Sequence, residues 1–316
     1  MSWTKRGALE RLKALYEALA SIRESGRQEL TPSLTFGAGA VYPEVLKVAA
    51  KHGVSDTELL EGLVELGALE KLYHDSHVAC PRCGSSRLLS KFRCPYCSGE
   101  NLRKIAVVAH SACGGINTVE EGAESPPKCS KCGRPLAEVS TIGRLYQCLA
   151  CGARFETPLP AYRCFDCGSA FDHREARYVS VQKYRVKREI LESLAKKLLI
   201  ELAREVGTAD GFKVEVSVQA KGVSGYYHPI DLAFSDKRET VYVDIVAESP
   251  RAMSETLANV AKTPDIQLKY FVIAPKSLES SLKGLASGNV ITYSDARDLI
   301  DKVRQLLKKV REGKSG

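Results

Sequence analysis

The sequence predicts a multidomain chain: an α-helical N-terminal module, a run of small metal-stabilised β ribbons, and a C-terminal α/β layer domain. Three observations carry this reading. The chain has 316 residues, more than one ordinary domain. All eleven cysteines fall between Cys80 and Cys167, and from Val186 onward helix-period and strand-period segments alternate. The expected boundaries are 1–30 for one amphipathic helix, 31–78 for a small helical module, 79–181 for the ribbons and 182–316 for the α/β domain.

The first segment is justified by Leu9, Leu12, Tyr16 and Leu19 at alternating three- and four-residue steps, with Leu15 and Ile22 widening the stripe. A helix over 5–23 is expected to dock this stripe on the helices that follow. Pairing with a second copy, giving an oligomer, is the alternative, although under three heptads is short for a coiled coil. Helical segments follow at 42–51 and 57–66, separated by Gly53, the second opened by Ser55 and Glu58 at capping-box spacing. With the strand-like 70–78 they could form a winged helix reading DNA. Glu58, Glu61 and Glu65 on the would-be recognition helix repel phosphates, so a packing or partner-binding module is favoured.

The next region is read from its ligands. Six half-sites occur, Cys80/Cys83, Cys94/Cys97, His110/Cys113, Cys129/Cys132, Cys148/Cys151 and Cys164/Cys167, each a pair three positions apart. Twelve ligands fill three tetrahedra without remainder, which assigns His110 and leaves no vacancy for His74 or His77. Gly84, Gly133, Gly152 and Gly168 follow second cysteines directly, where a tight turn needs them. Sequential pairing of half-sites is expected, interleaved pairing being the alternative. Evenly spaced two-ligand turns with one His favour three structural Zn²⁺ ions over an iron–sulfur cluster. With every position filled by protein, no water remains to be activated.

Charge and composition bound the partners. The formal net charge of +8 counts thiols as neutral; eleven thiolates on three Zn²⁺ lower it by about five. Residues 79–180 hold 14 Lys/Arg against 9 Asp/Glu, so the metallated region is close to neutral and supports nucleic-acid binding only weakly. Residues 1–6 meet charge at once, and the longest uncharged stretch, 105–119, is broken by His110, Ser111, Gly114, Gly115 and Asn117. Neither a signal peptide nor a membrane span is expected, and a cytoplasmic location is. Tyr146, Phe155, Tyr162, Phe165 and Phe171 are expected to form the ribbon core, base stacking being the alternative.

The order of motifs from about 42 to 184 resembles the zinc-finger thaumarchaeal output domain family. It runs through Leu66-Gly67-Ala68-Leu69, Cys80-Pro81-Arg82-Cys83, Cys94-Pro95-Tyr96-Cys97 and His110-Ser111-Ala112-Cys113-Gly114. It continues through Cys129-Ser130-Lys131-Cys132-Gly133-Arg134-Pro135-Leu136 and Tyr146-Gln147-Cys148-Leu149-Ala150-Cys151 to Phe155. The family usually carries His-His and an aromatic where this chain has Ala109-His110 and Ala112. The resemblance implies an archaeal cytoplasmic regulator whose output is nucleic-acid or protein contact.

The C-terminal elements are a helix over 186–206 with Ile190, Leu194, Leu198 and Leu202 inward, then strands at 212–219, 230–234 and 240–246. A helix at 254–261, a strand at 270–274, a helix at 278–286, a strand at 290–293 and a helix at 295–310 complete it. Their order and the segments 222–231 and 242–246 resemble the restriction-endonuclease-like PD-(D/E)xK superfamily. That resemblance implies Mg²⁺ held by acids at Asp231 and Asp244, with a lysine two residues after the second acid, yet position 246 is Val. A residual, inactive acid pair is therefore expected. The alternatives are an active nuclease drawing on Lys221 or Lys269, and an unrelated α/β fold with incidental acids. His228 either lines that cleft or is a plain hairpin residue. The basic residues Lys302, Arg304, Lys308, Lys309 and Arg311 are a solvated helix face or a phosphate contact.

The expected function is a zinc-binding regulatory or adaptor protein whose partner is DNA, RNA or protein. A Mg²⁺-dependent nuclease targeted by zinc ribbons and a pure protein–protein scaffold of a signalling system are the alternatives.

Overall fold

The apolar stripe of the first segment folds it into helix α1, Ala8–Ser25, ended by Gly26 at a left-handed φ of 66°. The computed structural model describes residues 7–37, 39–122, 126–237, 239–266, 268–283 and 289–312. Positions 5 and 6 of the expected first helix and 284–286 of the expected 278–286 helix lie outside the described residues. Helix α2, Pro43–His52, opens on a proline, whose fixed φ and missing N–H suit a first turn. Helix α3, Asp56–Glu65, starts on the capping box: the Glu58 N–H donates to Ser55 Oγ, and the Ser55 N–H donates back to the Glu58 carboxylate at 2.9 Å. Between them and α1, two short strands, Ser33–Thr35 and Gly39–Val41, pair with each other.

After α4, Arg188–Ala209, come three strands, Lys213–Lys221, Tyr227–Ser235 and Thr240–Ile245. Helix α5 (Ala252–Val260), strand Lys269–Pro275, the short α6 (Glu279–Leu282), strand Val290–Tyr293 and α7 (Ala296–Arg311) follow. The five strands lie in chain order in one sheet, the first three antiparallel and the last two parallel to the third. Parallel neighbours need a crossover, and α5 and α6 supply the two. One sheet face sends Leu232, Phe234, Val243 and Ile245 into a core shared with α4 and α7. The other sends Tyr270, Val272 and Ala274 into a second core with Ile230, Val246 and Ala252 of α5.

The described residues divide into two compact units, one from 1–33, 40–74 and 182–316, the other from 34–39 and 75–181. This differs from the four consecutive segments 1–30, 31–78, 79–181 and 182–316, and the N-terminal helices are not a module of their own. The cause is the α1 stripe: Ala14, Leu15, Tyr16, Ala18, Leu19 and Ile22 are buried, and α1 packs on α2, α3, α4 and α7. The face that could have received a second copy is spent within the chain. Residues Glu29–Leu30 add a short strand beside Arg177–Val186, which in turn neighbours Leu69–Ala79.

The second unit is almost wholly β. Ile116–Glu120, Leu102–His110, Val139–Cys148 and Arg154–Phe155 form a four-stranded antiparallel sheet in that order, and Ala170–Asp172, Leu159–Cys164 and Leu88–Arg93 a three-stranded one. Among the described residues no helix is long and apolar enough to cross a membrane.

Leu19 is 2% exposed and shares one core with Leu199, Leu202 and Val303. Leu19→Ala is therefore expected to cost about 2–5 kcal/mol, read by denaturant unfolding. Hydrogen exchange should show α7 losing protection together with α1; an unchanged α7 would mean that the helices fold independently.

Candidate metal centres and the acid pair

Each ligand pair sits on the same local turn. In all six, the N–H four residues after the first ligand donates to that ligand's carbonyl at 2.8–3.0 Å. The donor residues Gly84, Gly114, Gly133, Gly152 and Gly168 have φ between 65° and 76°, a region where a side chain is strained. The sixth turn has Ser98 there, at φ 59°.

The structure gathers the twelve ligands into three groups whose donor atoms lie within 4.8 Å of one another. Cys80 and Cys83 meet Cys164 and Cys167; Cys94 and Cys97 meet Cys148 and Cys151; His110 and Cys113 meet Cys129 and Cys132. Pairing is thus nested. Only the innermost group joins consecutive half-sites, which overturns the sequential expectation, and the reason is strand pairing. The six-residue strand Leu88–Arg93 carries the chain about 20 Å from Cys83 to Cys94, too far for both to share one ion. Its antiparallel partner Leu159–Cys164 returns to the starting end, with Leu88 opposite Cys164. Leu102–His110 and Val139–Cys148 repeat the arrangement between the middle and inner groups, with Leu102 opposite Cys148 and His110 opposite Val139.

The distances fit a tetrahedral ion. Across each group the Sγ atoms stand 3.6–3.7 Å apart, close to the edge of about 3.8 Å that metal–thiolate bonds of about 2.3 Å give a tetrahedron. In the inner group His110 presents Nδ1, 3.3 Å from both Cys113 and Cys132. All eleven cysteines are free thiols. Backbone donors prepare the anions: the N–H groups of Cys151 and Cys167 foremost bring Cys148 and Cys164 down to about 7. At Cys129 burial opposes the anion, but the N–H groups of Cys132 and Lys131 and the Asn117 amide bring it to about 5. Each group can hold one metal ion, with all four positions taken by protein.

The expected aromatic cluster divides among the groups. Phe171 is buried with Cys80 and Cys164, and Phe155 with Cys94 and Cys148; Tyr162 and Tyr146 pack beside them. Phe165, by contrast, is 57% exposed, in edge contact with Phe36.

In the first unit the sheet brings Asp231 and Asp244 together, each accepting from the other's strand. The Asp231 N–H donates to Asp244 Oδ1 at 2.8 Å and the Ile245 N–H to Asp231 Oδ2 at 2.9 Å. Neither carboxylate stands open. Lys196 of α4 lies 3.1 Å from Asp231 and 2.7 Å from Glu255, and Lys262 lies 2.8 Å from Asp244 Oδ2, which also accepts from the Tyr270 hydroxyl at 2.6 Å. Burial pushes the Asp231 carboxyl above its ordinary value against the pull of Lys196. Burial likewise opposes the charge on Lys196, but Asp231 and Glu255 raise its pKa overall.

Neither lysine of the active-nuclease alternative plays this part. Lys269 pairs with Glu239 at 2.7 Å, and Lys221 makes no contact with the acids among the described residues. Lys196 and Lys262 carried no sequence signal, since one is a polar position on a long helix and the other lies in a turn after α5. Val246 is fully buried with Ile230 and Tyr270. His228 belongs to the hairpin and not to the acid pair: it meets Asp265 at 2.6 Å, where Ser224 also donates. That bond and the Ser224 donors hold the Asp265 carboxyl down at about 2. A Cβ at Gly222 would stand 2.0 Å from the Asp265 carboxylate, so a larger residue there would have to displace that side chain.

Fold and site together define a protein with a β unit built on three closed Cys/His metal groups, joined in one chain to a helical and α/β unit. Residues 9–186 match the family described as thaumarchaeal output domain 1, and with more than half of its length matched the chain belongs to that family. The match begins at Leu9 and so takes in α1, earlier than the motifs from 42 onward indicated. No curated protein matches the chain.

Cys148→Ser distinguishes the two pairings. Nested pairing expects one of three ions to be lost and Cys94, Cys97 and Cys151 to become reactive to alkylation, mapped by mass spectrometry; reactive Cys164 and Cys167 instead would mean sequential pairing. Ser98→Gly relieves the one strained turn and is expected to raise stability by up to about 1 kcal/mol, measured by chelator-induced unfolding.

Proposed function

We propose that this chain is a zinc-binding regulatory or adaptor protein, in which three zinc ions hold a rigid β unit that contacts nucleic acid or a protein partner. The observation that carries this is closure: every coordination position comes from the protein, so the metals staple and do not activate water. Thiolate and imidazole donors at tetrahedral spacing support zinc. Eleven free thiols support a reducing compartment, hence the cytoplasm. The burial of the α1 stripe supports a partner surface elsewhere than on that helix.

The α/β layer supports the likeness to a restriction-endonuclease-like domain through its helix, three-strand, helix, strand order. The ion pairs support a disarmed one. A divalent ion at Asp231 and Asp244 would have to displace two ammonium groups and the hydroxyl of Tyr270. Such groups are costly to separate where water is scarce, because each would leave an uncompensated charge.

The test is metal-dependent cleavage. With Mg²⁺ or Mn²⁺, zinc-loaded protein is expected to cut single- and double-stranded DNA and RNA no faster than its Asp231→Ala variant. Cleavage that disappears in Asp231→Ala and in Lys262→Ala would overturn the adaptor reading for the nuclease one, with Lys262 in place of the lysine absent at position 246.

A further inference from the structure

The middle metal group carries a surface that the metals do not use. Four rings follow one another there: Tyr96, Phe155, Tyr146 and Phe92, at centroid spacings of 6.2, 6.2 and 6.4 Å. The inner two are stacked within 11° of parallel and hold the row to the small core around Cys94 and Cys148. The outer two are largely bare, Phe92 at 55% and Tyr96 at 72% exposed. Burial explains Phe155; it does not explain rings this open at both ends of one row.

Charge selects the occupant. Lys104 faces Tyr146 across the strand pair, with its ammonium 6.0 Å above the ring. Among the described residues it has no carboxylate partner. Of the nearby carboxylates, Glu100 is engaged by Lys91 and Arg93, Glu120 by Arg103 and Glu121 by Arg144, while Glu156, the residue after Phe155, is exposed. The row therefore offers flat π faces with the Lys104 ammonium beside them. An unpaired base has a flat face and carries a phosphate, whereas a duplex keeps its faces stacked inside.

We propose that this row is a stacking platform for single-stranded nucleic acid, with bases on Tyr96 and Phe92 and a phosphate on Lys104. The assignment rests on the nucleic-acid branch of the proposed function and names its site. Recognition is sequence-tolerant, because every base has a π face and the row presents rings in place of a set of base-edge donors.

The experiment uses the full zinc-loaded chain and fluorescence anisotropy with labelled single-stranded oligonucleotides of roughly 12 nucleotides and the matching duplex. Single strands are expected to bind more tightly than duplex. Phe92→Leu and Tyr96→Leu, which keep apolar bulk and remove the ring, should each weaken binding by between about 5-fold and about 100-fold, while Tyr96→Phe keeps it. Lys104→Gln should make the log–log salt slope shallower by about 0.7, one phosphate contact on a single strand. Both aromatic positions are exposed, so an unchanged zinc content certifies the variants as folded. Oligonucleotide binding that both Leu variants leave intact overturns the platform and leaves the nucleic-acid branch standing. A zinc-loaded wild type that binds no oligonucleotide overturns both, leaving the protein-partner branch.

Discussion

Four donors converging on one ion take the place, in the β unit, of a hydrophobic core. The apolar clusters there are very small and each is built on metal ligands: Phe171 with Cys80 and Cys164, Phe155 with Cys94 and Cys148, Val108 and Leu136 with Cys129. Clusters of this size cannot by themselves offset the conformational entropy of ordering such a chain. Metal binding free energy is folding free energy in such a unit. The six turns are then as constrained as the ligands, because each must aim two side chains at one point. That is why a left-handed residue recurs at the same place in every one.

The other unit depends on ordinary burial, and one costly feature within it is the acid pair. Asp244 is almost fully buried, a position a carboxylate holds only with partners. The pair's partners arrive from three places: Lys196 of α4 for Asp231, and for Asp244 the turn after α5 and the fourth strand. An ammonium is a compact cation on a flexible stem, and here two of them supply the charge that a metal supplies in acid-pair enzymes. Lys262 also donates to the Pro229 carbonyl at 2.9 Å, which ties its turn to the strand bearing Asp231.

Much of this was legible from local signals. Helices α1 to α3 and the strands and helices after residue 186 follow from apolar periodicity and from the Ser55/Glu58 cap. The ligands follow from three-residue spacing, and the unit carrying them is β as expected. What sequence could not supply were the long-range choices. Spacing within a half-site is fixed by a turn, but which half-sites share an ion is decided by strands pairing across as many as 75 residues, as Leu88 does with Cys164. The α1 stripe announced that it would be buried without saying against what. Lys196 and Lys262 were invisible for the same reason, since a polar residue on a helix or turn reads as solvated until the sheet brings an acid to it.

Nested pairing also gives the β unit an order of assembly. The inner group closes the shortest loop, from His110 to Cys132, and once it is closed the ends bearing Cys97 and Cys148 are tethered by two strands in place of a long free chain. The outer group gains in turn from the middle one. Each ion already seated spares the next up to about 1 kcal/mol of loop-closure entropy. Metal uptake in this arrangement is a zipper that starts at its closed end, and the same geometry makes the outermost ion the first to fray.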